Sequence, residues 1–129
     1  MKRHLLLIDD DDDEFDLLTT IVGEIPLLEC SYANSGLKGI ALIETTKPDL
    51  VLLDMNMPVM NGLECLKKIF KNNELQDTRI YMYSNSNAED LKQQALQFGA
   101  TGCLTKPSTL DSLRSILHKL LNDTFPGFV

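Results

Sequence analysis

Short apolar runs alternate along this chain with segments in which apolar residues recur at helical spacing. The runs Leu5 to Ile8 and Leu50 to Leu53 are the clearest, and continuous runs of this length indicate buried strands. Leu27 to Tyr32 and Gly102 to Thr105 are weaker candidates, assigned because they fall between helical patterns at the same rhythm. Together with the mixed run Arg79 to Tyr83, the pattern predicts five strands.

The segments between the strands each carry one apolar helix face, and they predict five helices. Ser35 and Asn87 are candidate N-caps, Ser108 or Thr109 begins the last helix, and Gly99 follows the fourth. The apolar positions that define the five faces are Phe15, Leu18 and Val22; Leu37, Ile40 and Ala41; Leu63, Leu66 and Phe70; Ala88, Leu91, Ala95 and Phe98; and Leu110, Leu113, Leu117 and Leu120.

Alternation of strands and helices with short connections implies parallel neighbours joined by right-handed crossovers. The predicted fold is a doubly wound α/β domain, with a five-stranded parallel sheet and helices on both faces. At 129 residues the chain fits one ordinary domain. We expect a single domain over residues 1–129, with 123–129 as a short C-terminal extension and without an output domain.

Composition narrows the classes of function. A formal net charge of −7 argues against nucleic acid as a partner, because backbone phosphates are bound by a surplus of lysine and arginine. The apolar stretch near the N-terminus is too short for a signal peptide or a membrane span, which favours a cytoplasmic protein without a membrane partner. Cys30, Cys65 and Cys103 are odd in number and lack ligand spacing, which favours reduced side chains.

Polar residues stand where the predicted strands end. Strand one runs into Asp9 and Asp10, and strand three runs into Asp54. Strand four runs into Ser84, and Lys106 follows strand five. Open parallel sheets bind ligands outside the carboxyl ends of their strands, so we expect these five residues to share one site.

The residue types at this edge favour phosphate chemistry with a metal ion. Asp9, Asp10 and Asp54 would repel one another unless a cation lies between them, and hard oxygen ligands select Mg²⁺ or a similar ion. Lys106 offers a positive charge and Ser84 a hydroxyl donor, both suited to the oxygens of a phosphoryl group in transfer. Asp54, between them, is the predicted nucleophile.

The rest of the acidic run favours a simpler role. Asp11, Asp12 and Asp13 are expected to be solvated residues at the start of the first helix, where negative charge is favourable. An EF-hand is excluded, because Glu14 stands where that loop needs glycine and Thr20 where it needs glutamate.

The order and spacing of these motifs resemble the receiver domains of bacterial response regulators, and the resemblance covers nearly the whole chain. It implies a flavodoxin-like sheet with strand order 2-1-3-4-5 and a stand-alone switch that acts by protein contacts. The residues that carry it are Ile8-Asp9-Asp10, Leu52-Leu53-Asp54-Met55-Asn56-Met57-Pro58, Met60-Asn61-Gly62, Ser84 and Lys106-Pro107.

The resemblance also implies residue roles. Asp54 would be phosphorylated by the phosphohistidine of a histidine kinase or a histidine phosphotransfer protein, and would pass the signal to a downstream protein target. Asp10, Asp54 and the backbone carbonyl of Asn56 would ligate Mg²⁺, with Asp9 acting through bound water. Lys106 would pair with the phosphoryl group, and Ser84 would turn inward to hydrogen-bond it.

The chain departs from the family pattern at two positions. Asn85 stands where many members have a smaller residue, which makes it a candidate modulator of access to the phosphoryl group. Cys103 occupies the place of an aromatic residue on strand five that usually follows the movement of the switch. A dimer through the face formed by helix four, strand five and helix five is a further expectation from the family.

Three other functions are less favoured by the sequence. A haloacid-dehalogenase-like phosphatase needs a second aspartate two residues after the nucleophile as its general acid, and Asn56 stands there, so a phosphoacceptor without turnover fits better. A flavodoxin-like nucleotide binder would need a first loop that cradles phosphate, and five consecutive aspartates would repel it. A phosphorylation-independent interaction module would lack acidic, hydroxyl or lysine residues of the site, and this chain retains them.

Overall fold

The computed structural model describes residues 2–72, 77–85 and 89–122. Within these residues a strand and a helix alternate five times, as the sequence pattern predicts. The elements are β1 Arg3–Ile8, α1 Asp12–Val22, β2 Leu28–Ala33, α2 Gly36–Thr46, β3 Leu50–Leu53, α3 Gly62–Asn72, β4 Arg79–Ser84, α4 Glu89–Gln97, β5 Gly102–Thr105 and α5 Leu110–Leu121. The strands pair in parallel in the order β2-β1-β3-β4-β5, which confirms the predicted doubly wound sheet.

The element boundaries lie close to those predicted. β2 begins and ends one residue later than the pattern indicates, and Ser84 is the last residue of β4 rather than the first residue after it. The predicted N-cap Asn87, the apolar position Ala88 and the extension 123–129 lie outside the described residues.

The core lies on both faces of the sheet, because successive side chains of a strand point to opposite faces. Leu6 and Ile8 of β1 belong to a cluster covered by α2, α3 and α4. Leu5 and Leu7 belong to a second cluster, covered by α1 and α5. All four side chains are fully buried, so β1 is an interior strand of a three-layered domain, and acidic residues follow its carboxyl end.

The helix ends confirm several of the predicted signals. The Ser35 hydroxyl accepts a hydrogen bond from the Lys38 N–H, and the Thr109 hydroxyl accepts one from the Ser112 N–H. Gly99 follows α4 with a φ of +105°, which favours glycine. The longest described helix, α5, has 12 residues, whereas a membrane span needs about 20, so none of the described helices could cross a bilayer.

The predicted face of α2 is wrong at two of its three positions, since only Ile40 packs against the core. Leu37 and Ala41 were expected to face the core, but Leu37 is 63% exposed and Ala41 is exposed as well. The buried face of α2 is formed instead by Gly39 and Ile43, together with its first residue. A Cβ atom on Gly39 would lie only 2.5 Å from Cδ1 of Ile8, so glycine at this position allows α2 to pack closely on the sheet beside the buried Ile43. Leu110, placed on the buried stripe of α5, is also exposed.

Candidate functional site

The backbone at the carboxyl ends of the strands brings the predicted residues to one edge of the sheet. The Asp54 N–H donates to the Ile8 carbonyl at 2.9 Å, which continues the pairing of β1 with β3 by one residue past the end of β3. The Lys106 N–H donates to the Ser84 carbonyl at 2.9 Å, which does the same for β4 and β5. Main-chain hydrogen bonds therefore fix the backbone positions of Asp54 and Lys106 at this edge.

Three carboxylates converge at this edge. Asp9, Asp10 and Asp54 each offer an oxygen atom, and these atoms all lie within 4.8 Å of one another. Asp9 and Asp54 are buried, whereas Asp10 is exposed. Asp9 Oδ1 accepts a hydrogen bond from the Asp11 N–H at 3.0 Å, and Asp54 Oδ1 accepts one from the Asn56 N–H at 3.3 Å. The cluster thus has two oriented carboxylates inside and one at its open side.

Lys106 supplies the positive charge of the site. Its ammonium nitrogen lies 2.8 Å from Asp9 Oδ2 and 3.6 Å from Asp54 Oδ1, and its side chain is only 8% exposed. The same nitrogen lies 5.9 Å from the centre of the Tyr83 ring, within the range of a cation–π contact. Burial alone would lower the pKa of Lys106, but the hydrogen bond and charge of Asp9, followed by the charge of Asp54, outweigh burial and raise that pKa. The lysine is therefore charged.

Asp54 is the unusual carboxylate of the site. Burial, followed by repulsion from Asp9, raises the pKa of Asp54 to about 6, against the opposing attraction of Lys106. The anionic form of a carboxylate held in this way is less stable than it would be in water. Lys106 alone therefore does not compensate the negative charge of the site.

The donor set fits a hard divalent cation. All three clustered groups are carboxylates, and the exposed Asp10 leaves a side where water or a phosphoryl oxygen can complete the coordination. Asp9 Oδ2 is buried, and the Lys106 ammonium lies 2.8 Å from it as an ion-pair partner. A carboxylate oxygen can accept more than one hydrogen bond, so water bound to a cation could also reach Asp9.

The predicted switch residue Ser84 and the two candidate modulators lie on β4, directly after it, or on β5. Ser84 is buried at the end of β4, and it lines a small cavity with Met55, Met82 and Cys103. Cys103 is buried, so the position that carries an aromatic residue in the resembling family is filled here by a small side chain. Asn85 is exposed immediately after Ser84.

Sequence reasoning missed two residues that shape the site. Gly62 begins α3, and a Cβ atom on it would lie 2.3 Å from the Asp54 carbonyl oxygen and 2.8 Å from the Met55 Cα, so α3 starts against the backbone of Asp54 and Met55. Glu14 lies 3.9 Å from Lys106 Nζ. In the sequence, Gly62 stands out only as part of a loop motif, and Glu14 only as a residue that rules out an EF-hand. Neither contact has a sequence signal of its own.

The raised pKa of Asp54 predicts that the wild type and Asp54→Asn differ in stability by an amount that depends on pH. A folded-state pKa of about 6 lies above the ordinary value of 3.8, so the ionised Asp54 destabilises the fold above pH 6 and this cost vanishes as the pH falls to about 4. In chelator near neutral pH, Asp54→Asn should raise the free energy of unfolding by about 1–3 kcal/mol. Urea denaturation at several pH values measures the difference.

Asp13→Asn is the matched control, since it removes an exposed carboxylate from the neighbouring helix turn. A gain for Asp54→Asn that persists unchanged below pH 4, or an equal gain for Asp13→Asn, would contradict the assignment of the cost to the buried Asp54 anion.

Comparison with known proteins identifies the class. A family model described as the response regulator receiver domain matches residues 5–118, and the chain belongs to this family. Receiver domains are signalling switches of two-component systems that bind Mg²⁺ at a cluster of aspartates, and Asp9, Asp10 and Asp54 form such a cluster here.

Individual relatives agree with this class. The nitrate/nitrite response regulator protein NarL of Escherichia coli K12 is 42% identical over 100 residues, which is 78% of this chain and 42% of that protein. The chain thus spans less than half the length of this relative. The response regulator domain of Thermotoga maritima CheB is 29% identical, with a TM-score of 0.78 over 95% of this chain and 93% of that one. Vibrio cholerae chemotaxis protein CheY4 is 26% identical, with a TM-score of 0.82 over 92% of this chain and 98% of that one.

Proposed function

We propose that this chain is a phosphorylation-dependent switch or phosphorelay intermediate in which Asp54 accepts the phosphoryl group. The phosphodonor is the phosphohistidine of a histidine kinase or of a histidine phosphotransfer protein. The observation that carries the proposal is the position of the Asp54 carboxylate, buried at an open sheet edge between the Lys106 ammonium and two further aspartates. Such a site can stabilise negative charge that gathers on a phosphoryl group during transfer.

The transfer itself needs few protein groups. An Asp54 carboxylate oxygen attacks phosphorus, the phosphorus–nitrogen bond of the donor breaks, and the electron pair of that bond stays on the donor imidazole. Lys106, 3.6 Å from Asp54 Oδ1, is close enough to follow a phosphoryl oxygen with a small movement of its flexible stem. Its contribution is electrostatic, because it is aimed at oxygens that gain charge in the transition state.

A Mg²⁺ ion, when bound, supplies positive charge that lets carboxylates and phosphoryl oxygens approach one another. We assign its protein ligands to Asp10, Asp54 and the backbone carbonyl of Asn56, with Asp9 acting through water. The three carboxylate oxygens that lie within 4.8 Å of one another and the raised pKa of Asp54 support this assignment.

Ser84 is the proposed reporter of phosphorylation. Its hydroxyl would leave the edge of the small cavity lined by Met55 and Cys103 to bond the phosphoryl group, and the segment after β4 would follow. A phosphoryl group can bias two conformations only through contacts that differ between them, and Ser84 and Lys106 provide such contacts. Asn85, exposed beside Ser84, is placed to modulate access.

Turnover of phosphoesters finds no support in the site. The position two residues after Asp54 is Asn56, whose side chain cannot act as the general acid of a haloacid-dehalogenase-like phosphatase. The chain is thus proposed as a phosphoacceptor that promotes its own phosphorylation and dephosphorylation. The downstream protein target, and a dimer through α4, β5 and α5, stay predictions.

Incubation with acetyl phosphate and Mg²⁺, followed by intact mass measurement, tests the proposal. One added phosphoryl group is expected, and it should disappear when a chelator is present. A donor protein carrying phosphohistidine is tested in parallel, since protein and small-molecule donors reach the site differently. Absence of an adduct with both donors would contradict the proposed function.

A further inference from the structure

The first turn of α1 brings a fourth carboxylate, that of Glu14, to the lysine of the site. Glu14 Oε1 lies 3.9 Å from Lys106 Nζ, and the Glu14 side chain is 20% exposed. Glu14 lies outside the group formed by Asp9, Asp10 and Asp54. It therefore faces the lysine without being part of the proposed metal site.

Three carboxylates surround the ammonium group of Lys106. An ammonium carries three N–H bonds, and this one faces Asp9 at 2.8 Å, Asp54 at 3.6 Å and Glu14 at 3.9 Å. The lysine stem is flexible, so the direction of its head depends on the groups that hold it. Asp9 and Asp54 are also proposed to serve the metal ion, through water and directly. Of the three carboxylates around Lys106, Glu14 is therefore the one without a proposed role at the metal ion.

We propose that Glu14 is a positioning residue for Lys106. Together with Asp9 it attracts the ammonium by its charge and so sets the direction of the lysine head, from which the ammonium can follow the Asp54 oxygen and the phosphoryl group that forms there. The inference rests on the proposed phosphoryl transfer to Asp54 and adds a residue that acts on this transfer through Lys106.

A plain charge effect would have a different signature. Removing any negative charge near the site weakens repulsion of an anionic donor, which affects how readily the donor binds and depends on salt. Loss of positioning instead lowers the maximal rate at saturating donor while the half-saturating concentration stays the same. Asp13→Asn provides the matched control, because Asp13 is exposed on the same helix turn and its amide, not its side chain, is engaged there.

The experiment measures phosphoryl uptake from acetyl phosphate for the wild type, Glu14→Gln and Asp13→Asn at two ionic strengths. Glu14→Gln should lower the maximal rate about 10-fold relative to Asp13→Asn, the size of effect typical for residues that orient a functional group. A double-mutant cycle of Glu14→Gln with Lys106→Met, measured by urea denaturation in chelator, should give a coupling of about 2- to 5-fold in the unfolding equilibrium constant.

Equal rates for Glu14→Gln and Asp13→Asn would overturn the inference, as would a cycle without coupling. The cycle does not require phosphorylation, so it separates two kinds of failure. Coupling in the cycle with no phosphoryl uptake by the wild type would refute the proposed function and, with it, a positioning role in transfer, while leaving the contact itself established. Coupling together with the lowered maximal rate would support the positioning role.

Discussion

Lys106→Met is expected to slow phosphoryl uptake by Asp54 about 10²-fold, the loss typical when a single charge-stabilising donor is removed from a transition state. Methionine keeps most of the length and volume of the lysine stem, so the change removes mainly the ammonium group. That group lies 3.6 Å from Asp54 Oδ1 in a buried setting, where charge interactions are less screened than in water. The rate is measured by intact mass during incubation with acetyl phosphate and Mg²⁺.

Lys68→Met is the matched control, because Lys68 is exposed on α3. It should leave the rate within about twofold of the wild type, as expected for a surface charge screened by solvent and salt. An undiminished rate in Lys106→Met would show that the ammonium does not act on the transferring group, and it would remove Lys106 from the proposed mechanism.

Gly62→Ala is expected to destabilise the protein by about 2–3 kcal/mol, at the upper end of the usual cost of overpacking. The added methyl group would meet the Asp54 carbonyl oxygen at 2.3 Å and the Met55 Cα at 2.8 Å, and backbone atoms cannot turn aside as a side chain can. The Gly62 N–H also donates to the Met55 carbonyl at 2.9 Å, so a shift of α3 would strain that bond. Urea denaturation measures the change.

Gly23→Ala offers a comparison within the same chain. Gly23 ends α1 with a φ of −61°, and a Cβ atom there would lie 3.4 Å from its nearest neighbour, the Thr19 carbonyl oxygen. Alanine should be tolerated at this position with little loss of stability or a gain of about 0.5 kcal/mol. Equal destabilisation by both substitutions would show that the close approach of α3 to the Asp54 loop is not what requires Gly62.

Most of the site could be predicted from the sequence because its residues sit at a position that the fold repeats. The carboxyl ends of parallel strands meet at one edge, so locating the strands was enough to bring Asp9, Asp54 and Lys106 together. The ladder hydrogen bonds that continue past Ile8 and Ser84 are the reason this inference works.

The missed features depend on distances that no periodicity encodes. The buried face of α2 was misjudged because Gly39 allows the helix to approach Ile8 directly, and an apolar pattern gives no weight to glycine. In the sequence, Glu14 is one of several acidic residues typical of a solvated helix start. Only the position of α1 relative to β5 brings it to Lys106. Both features depend on how closely the elements pack against one another, and the apolar pattern within a single element does not encode that distance.

The most direct test of the central claim is to locate the phosphoryl group chemically. An acyl phosphate on an aspartate is reduced by borohydride to homoserine, and peptide mass spectrometry then identifies the modified position. After incubation with acetyl phosphate and Mg²⁺, the expected result is homoserine at position 54 in the wild type and none in Asp54→Asn. Homoserine at position 9 or 10 instead, or an adduct that survives in Asp54→Asn, would contradict the assignment of Asp54 as the phosphoacceptor.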